Sequence, residues 1–303
     1  MDSVENARAF LSVVEVGSFN GAALRLGVAA SVVTKRVGAL EKELNTLLFR
    51  RTTRSIELTA NGRETVTRAR DFLSSYERLT SPSSADGSEL TGRLRIKAPS
   101  SFTNHFLGKI LNAFFLMHPK VDVALQLANR PVDPVLEGFD FVITGLPISY
   151  DGIEEFPLCL FKRMVYASPK YLERKGVPKH PSEFAVHDCL LYSYLSPVYE
   201  WTFNAPGAGR VVVRVNGTFS TNDIDAMHRA AIDGMGIAVL PRYRATESVN
   251  QGLLVPILSE YALPDYWIKV LRPIHHHNPK LFQALLEFLR RSLHDLAAAG
   301  VLL

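Results

Sequence analysis

A chain of 303 residues, 47% hydrophobic and 21% charged, has the length for two or three compact domains and a composition that excludes disorder as the default. Its two cysteines, Cys159 and Cys189, form no CxxC and have no histidine nearby at metal-ligand spacing, so they read as buried thiols in a reducing compartment and imply no metal. The net charge of +4 is concentrated: residues 35–54 hold Lys35, Arg36, Lys42, Arg50, Arg51 and Arg54 against Glu41 and Glu43, a basic patch on a neutral body, as a polyanion-binding surface would be.

The opening MDSVENARAF carries acids where an export signal needs a basic start and an apolar core. Runs such as GIAVL and LLVPIL fall far short of the ~20 residues that cross a bilayer. The expected location is therefore the cytoplasm, with no membrane contact. Residues 3–16 predict a helix with Ser3 as its cap, Ala7, Phe10, Leu11 and Val14 facing inward, and Gly17 as its end. A second helix is expected from Ser18, burying Ala22, Ala23 and Leu26 before Gly27 stops it.

AASVVTKRVGALEKEL, residues 29–44, predicts a third helix whose buried stripe is Val33, Val37, Leu40 and Leu44. Ser31, Thr34, Lys35 and Arg36 occupy its first turns, although the helix dipole favours anions there. DNA resolves the mismatch by supplying the anion: hydroxyls and amides at a helix start bind phosphate, and Lys35 or Arg36 reaches a guanine edge. Two helices joined by GVAA within a three-helix unit form the helix-turn-helix pattern, whose second helix lies in the major groove. LFRRTTRSIELT then predicts a short hairpin, a wing that sets Arg51 and Arg54 against phosphates. From Gly62 to Leu79 one longer helix is expected, with Val66, Ala69, Leu73 and Tyr76 as a self-association seam that Phe72 and Leu79 widen. SPSSADGSELTG, residues 81–92, reads as a linker.

Beyond residue 92 strands alternate with helices: RLRIKAP, NHFLGKILNAFFLMHP, VDVALQLA, VDPVLEG, FDFVITG, and a second unit from YASPKYL through GRVVVRVNGTF, a helix over 223–234 and GIAVLP. DYWIKVL and PKLFQALLEFLRRSL close the chain. The alternation predicts a parallel α/β sheet in each unit. The turn PSSF puts Ser100 and Ser101 between a strand and a helix start, a place that suits a carboxylate; plain capping is the structural alternative. Enzyme signatures fail. Gly234 and Gly236 follow a helix and precede a strand, the reverse of a dinucleotide turn, and Pro169 breaks the Tyr-x-x-x-Lys pair of YASPK. His275, His276 and His277 are adjacent rather than convergent and read as a solvated loop, and no nucleophile elbow or P-loop occurs. No catalysis, cofactor or metal is expected.

Phe10, Val14, GSF at 17–19, AA at 22 and 23, Leu26, LE at 40 and 41, Leu44, LF at 48 and 49, Arg51, LT at 58 and 59 and Gly62 together resemble the LysR-type transcriptional regulators, and GFDFVITG, YASPKYL and DGMGIAVLPRY continue the likeness more loosely. The resemblance implies a multidomain α/β protein. Residues 1–61 would form a winged helix-turn-helix, 62–80 a dimerising linker helix and 81–91 a hinge. A two-lobed effector domain like a periplasmic binding protein would follow, with 92–166 and 268–303 as lobe I and 167–267 as lobe II. It implies double-stranded promoter DNA, a small-molecule effector (a small organic acid or an aromatic metabolite) and a homodimer assembling into a homotetramer as partners, with RNA polymerase as a further candidate. By the same resemblance the turns carrying Ser100, Ser101, Thr144, Ser196, Pro197, Thr221 and Asn222 line the effector pocket. The chain departs from the family pattern at Gly27, at Thr34, at Asn45 and above all at Ala29 and Ala30, where a serine and a glutamine are usual; recognition through Ser31, Thr34, Lys35, Arg36 and DNA shape is expected instead. The rival reading is a cytoplasmic small-molecule-binding protein or enzyme whose N-terminal unit serves only dimerisation.

Overall fold

The computed structural model describes residues 3–51, 56–80, 89–194, 199–205, 207, 209–274 and 278–300, without the side chains of Arg51, Ser74, Glu77 and Arg78. The N-terminal unit begins with α1 (Ser3–Val16), α2 (Phe19–Leu26) and α3 (Ala30–Glu43). The Ser18 hydroxyl caps α2 by accepting from the Gly21 amide at 3.0 Å, and Gly27, at φ 65°, makes the left-handed turn that ends it. Ser3 differs from expectation. It is already helical, and its hydroxyl donates to the Glu43 carboxylate at 3.3 Å instead of capping α1. Leu44 also leaves the expected stripe: as the C-cap of α3 it is 45% exposed, and Asn45 turns the chain at φ 50°.

Strands β1 (Phe49–Arg51) and β2 (Ile56–Leu58) pair antiparallel with Phe49 opposite Leu58, forming the stem of the wing; Arg54 lies outside the described residues. Phe49 packs its ring on Phe10 and Phe19, with centroids 5.5 and 5.8 Å away. The helix α4 (Ala60–Thr80) starts two residues earlier than the sequence suggests, because Thr59 caps it: its Oγ1 accepts from the Gly62 amide at 2.8 Å and donates to the Leu47 carbonyl at 2.7 Å. Gly62 has no alternative, since a Cβ there would lie 2.1 Å from the Leu48 carbonyl oxygen. Val66 and Ala69 are buried in the same core as Phe10, Val33 and Val37, with Leu73 packed against it. The expected seam is therefore not one free face: its first two residues are used inside the protomer, and the apolar residues α4 leaves exposed are Phe72, Tyr76 and Leu79.

Lobe I contains β3 (Gly92–Ala98), α5 (Ser100–Phe102), a π turn over Thr103–Leu107, α6 (Gly108–Met117), β4 (Val121–Leu127), α7 (Pro134–Glu137), β5 (Phe141–Thr144) and β6 (Ile153–Phe161). Lobe II contains β7 (Arg163–Ala167), α8 (Pro169–Lys175), a 3-10 turn over Pro181–Val186, β8 (Leu190–Tyr192), β9 (Glu200–Ala205), β10 (Gly209–Arg214), β11 (Phe219–Thr221), α9 (Ile224–Ile232), β12 (Ala238–Pro241), α10 (Arg242–Asn250) and β13 (Val255–Ile257). The chain then returns to lobe I through β14 (Tyr266–Pro273) and α11 (Pro279–Ala298).

The strand order of lobe I is β4-β3-β5-β14-β6. In lobe II, β11-β8 and β12-β7-β13 are joined by a bridge between Cys189 and Ile237, so the second lobe repeats the order of the first. The expected all-parallel sheets are mixed: β3 runs parallel to β4 and β5, whereas β14 is antiparallel to β5 and β6, and β7 is antiparallel to β12 and β13. A strand that returns from the other lobe enters from the opposite end. The crossings also move. Arg163 already belongs to a lobe II strand and Tyr266 to a lobe I strand, so the linkers lie at Lys162 and just before Tyr266 rather than at 166–167 and 267–268.

Both lobes pack apolar helix faces on their sheets. In lobe I the buried stripe Leu281, Phe282, Leu285, Leu286, Leu289 and Leu293 of α11 covers Leu94, Ile96, Phe141, Ile143, Ile268 and Val270. Each such side chain contributes about 1.5–3 kcal/mol on burial, which makes the sheet a rigid base for whatever its strand ends carry.

Candidate functional site

Two separate surfaces carry the chemistry. On the first, α3 turns Ser31, Lys35, Gly38 and Lys42 outward while Val33, Val37 and Leu40 hold it to the N-terminal core. Thr34 is half-buried beside that outer row. The cap residue is Ala29, which offers no side-chain acceptor, and the first turn contains no acid. Ser31 is thus helical and exposed rather than a cap. The helix start keeps its positive end uncompensated, as a phosphate contact requires.

Arg36 is placed differently from its neighbours. Its guanidinium pairs with Glu5 of α1 at 3.0 Å, so in the free protein it braces α3 against α1. Glu41 fixes the other end of α3: its Oε1 accepts from the Leu48 amide at 2.8 Å and the Phe49 amide at 3.3 Å, tying the helix to the wing. Arg51 ends β1 and Arg50 is exposed on it.

The second surface is the cleft between the lobes. It comprises an outer space of about 510 Å³ and an inner cavity of about 80 Å³, which share Gly145, Arg163, Tyr192 and Tyr266 among their walls. The lobes are stitched together across the cleft. Ser101 of α5 donates to Asp225 of α9 at 3.4 Å, and the Asn129 amide donates to Asp223 at 3.0 Å. Tyr243 of α10 packs edge-on against His105 and Phe106 of the π turn, with centroids 5.4 and 4.9 Å away, and burial pushes its phenol up to about 12. The π turn follows from Thr103, whose hydroxyl donates to the Pro99 carbonyl at 2.7 Å just past the cavity-lining Ser101 and Phe102.

The expected pocket residues divide. Ser101 and Thr144 line the inner cavity, both buried. Ser100 does not line it: its amide and hydroxyl both donate to the Asn129 side-chain oxygen, at 2.9 and 3.1 Å, which orients Asn129 toward lobe II. Thr221 and Asn222 stand off the cavity. The Thr221 hydroxyl accepts from the Asp223 amide at 3.1 Å, and Asp223 rather than either of them reaches across. Ser196 and Pro197 lie outside the described residues, as do His275, His276 and His277.

Lys97, Asn129, Arg163, Tyr192, Tyr243 and Tyr266 line the inner cavity without having been singled out in the sequence. Lys97 alone carried a signal there, as a cation at the end of a strand that otherwise leads into an apolar sheet. Cys159 and Cys189 are free and buried, and burial pushes both thiols up to about 12, which leaves them protonated and unreactive. No group of acidic, histidine or cysteine side chains with metal-binding geometry occurs among the described residues, and none of their helices is long and apolar enough to cross a membrane.

Comparison with known proteins fits both surfaces. Residues 4–63 match the bacterial regulatory helix-turn-helix protein family of LysR, and residues 87–294 match the LysR substrate binding domain. The HTH-type transcriptional regulator YhjC of Escherichia coli K12 is 30% identical over 274 residues, covering 90% of this chain and 92% of that protein. PtxR, an HTH-type transcriptional regulator of Pseudomonas aeruginosa, is 30% identical over 286 residues, covering 94% and 91%. Among solved structures, the full-length virulence activator AphB of Vibrio cholerae superposes with a TM-score of 0.63 at 25% identity, covering 94% of this chain and 97% of that one. A full-length OxyR variant of Pseudomonas aeruginosa shares the fold, with a TM-score of 0.66 at 16% identity over 96% and 95%. The chain belongs to the LysR family: it is a LysR-type transcriptional regulator, with a DNA-binding helix-turn-helix and an effector-binding domain.

Proposed function

We propose that this regulator reads its operator with the outer row of α3, Ser31, Thr34 and Lys35, while Arg51 and Arg54 of the wing hold phosphates. Arg36 joins the reader only by exchanging Glu5 for DNA. The observation that carries the reading is the start of α3: an uncapped, acid-free helix end beside exposed hydroxyl and ammonium groups, opening a basic segment, residues 35–54, whose charge equals the +4 of the whole chain. Ala29 and Ala30 offer only apolar contact, so local DNA shape carries part of the specificity. The cleft takes a small organic acid or an aromatic metabolite, whose arrival changes the contacts that join the lobes. The working unit is a homodimer joined through α4, assembled further into a tetramer, acting in the cytoplasm and without catalytic activity; RNA polymerase is its remaining candidate partner.

Titrating labelled DNA from upstream of the protein's own gene, at physiological salt and with unrelated competitor DNA, tests the central part of this reading. Binding at least about a thousandfold tighter than to competitor is expected. Equal affinity for both would leave the N-terminal unit a mere dimerisation element.

A further inference from the structure

The sequence RLRIKA of β3 alternates strictly. Leu94, Ile96 and Ala98 are fully buried in the core of lobe I, so Arg93, Arg95 and Lys97 share the opposite face. Two of these cations have carboxylate partners: Arg93 meets Asp122 at 3.4 Å, and Arg95 meets Glu15 at 2.8 Å. Lys97 does not. It is 1% exposed, it lines the inner cavity, and no described hydrogen bond or ion pair engages its ammonium. The charges that act on it, Arg130 and Glu137, are already paired with each other through two contacts of 2.6 and 2.5 Å.

Arg163 approaches the same cavity from lobe II. Its guanidinium stacks on Tyr266 at 4.4 Å and sends Nη2 toward the Pro264 carbonyl, while its buried Nε has no partner. The residues that wall this cavity thus supply two cations, the hydroxyl groups of Ser101, Thr144, Tyr192, Tyr243 and Tyr266, the Asn129 amide, and no carboxylate. Asp223 and Asp225 stand nearby, but Asn129 and Arg244 already engage them. A buried ammonium and a buried unpaired N–H donor in residues that line one acid-free space are costly unless an anion arrives to meet them.

We propose that the inner cavity is an anion site in which Lys97 from lobe I and Arg163 from lobe II are the specificity determinants for a monocarboxylate. Its carboxylate sits between the two lobes and its apolar remainder packs on Phe161, Tyr192 and Ile268, extending into the outer space. The proposal rests on the cleft being the effector site and narrows the effector from acid or neutral aromatic to acid. The volume of about 80 Å³ equals roughly three waters, enough for a carboxylate with one or two carbons before the tail must leave the cavity. An anion held by one cation from each lobe draws the lobes together, which gives the effector its differential affinity for the closed state.

The full-length protein, at constant ionic strength, is to be melted with formate, acetate, propionate, pyruvate, benzoate and inorganic phosphate, and with acetamide, propionamide, pyruvamide and benzamide as neutral counterparts. At least one carboxylate should raise the Tm saturably by several degrees while its amide does not. Lys97→Met should lower the affinity for that carboxylate at least tenfold, Arg163→Gln should weaken it similarly, and Lys97→Arg should recover part of the loss. A full shift retained by Lys97→Met, or no carboxylate exceeding its amide, overturns the proposal. Phosphate outperforming every carboxylate overturns its choice of anion. Operator affinity measured on the same samples separates the two readings. Anion binding without any change in operator affinity would sink the effector role and keep the anion site. An operator response to a neutral amide alone would sink the anion site and keep the effector role.

Discussion

Three polar residues show how single side chains set what this protein can do. Glu41 joins α3 to the wing through two backbone amides, and Thr59 starts α4 by accepting from Gly62 while donating to Leu47. Lys97 performs no such local task. Burial, with a smaller push from Arg130 against the pull of Glu137, lowers its ammonium from 10.5 to about 8. Below pH 8 the folded and unfolded chains both carry the proton, and the folded one bears the cost of burying it. Between pH 8 and 10.5 the folded chain releases the proton first, so the unfolded state binds more protons and stability rises with pH. Lys97→Met should lack this rise. Its stability advantage over the wild type should shrink by up to roughly 3 kcal/mol between pH 7 and pH 10.5 in urea unfolding. Parallel pH profiles for the two proteins would show that Lys97 is not buried as a charge.

Part of this level was legible beforehand. Ser18 and Gly27 begin and end α2 by contacts within a few residues, and such local chemistry is what a sequence displays. The pocket was less so, because Ser100 and Thr221 have the same residue types as Ser101 and Thr144. Ser100 meets Asn129 across 29 residues and Ser101 meets Asp225 across 124, distances over which a local pattern says nothing, whereas the Thr221 contact with the Asp223 amide is a turn within two residues that a sequence can display.

Among the elements, α4 separates pattern from partner. The spacing of Val66, Ala69, Leu73 and Tyr76 correctly marks an apolar stripe, but a stripe does not say what covers it. In the structure the first half packs on the N-terminal core, and the large apolar residues left exposed are Phe72, Tyr76 and Leu79, the part of the helix free for the proposed dimer seam. Placing Asp at Leu79 and Ser at Phe72 should weaken the dimer at least tenfold in sedimentation equilibrium, since it replaces exposed apolar area by charge and polarity. Val66→Ala should instead cost roughly 2 kcal/mol of folding stability and leave the dimer intact. A dimer loosened by Val66→Ala and untouched by the double substitution would restore the longer seam. The mixed sheets teach the same lesson: helix and strand alternation was readable, but the reversed direction of β14 depends on the chain having left for lobe II and come back.

For the molecule as a whole, Glu15 of α1 is the junction between the DNA-binding unit and the effector domain. Its carboxylate meets Arg25 of α2 at 2.5 Å, Arg95 of β3 at 2.8 Å and Arg70 of α4 at 3.7 Å. Arg70 is buried enough to fall to about 10 and also donates to the Leu136 carbonyl of α7 at 3.3 Å. Arg95 and Lys97 lie two residues apart on one face of β3, so a single strand touches both the cavity and the DNA-binding unit. Glu15→Gln removes the only carboxylate that meets three guanidinium groups among the described residues, and it should loosen the docking of the two units. A larger radius of gyration in small-angle scattering is the expected result; an unchanged radius would mean that apolar packing alone holds them.

The most direct test of the central claim is a base-resolved footprint and a competition titration of the promoter with the wild type and a Ser31→Ala, Thr34→Ala, Lys35→Ala triple variant. None of the three belongs to the buried stripe of α3, so the variant keeps the packing of that helix on its core. The wild type should protect a two-fold pair of half-sites and prefer them strongly over competitor, whereas the variant should keep salt-dependent binding but lose most of that preference. A triple variant with the full footprint and undiminished preference would contradict α3 as the reader.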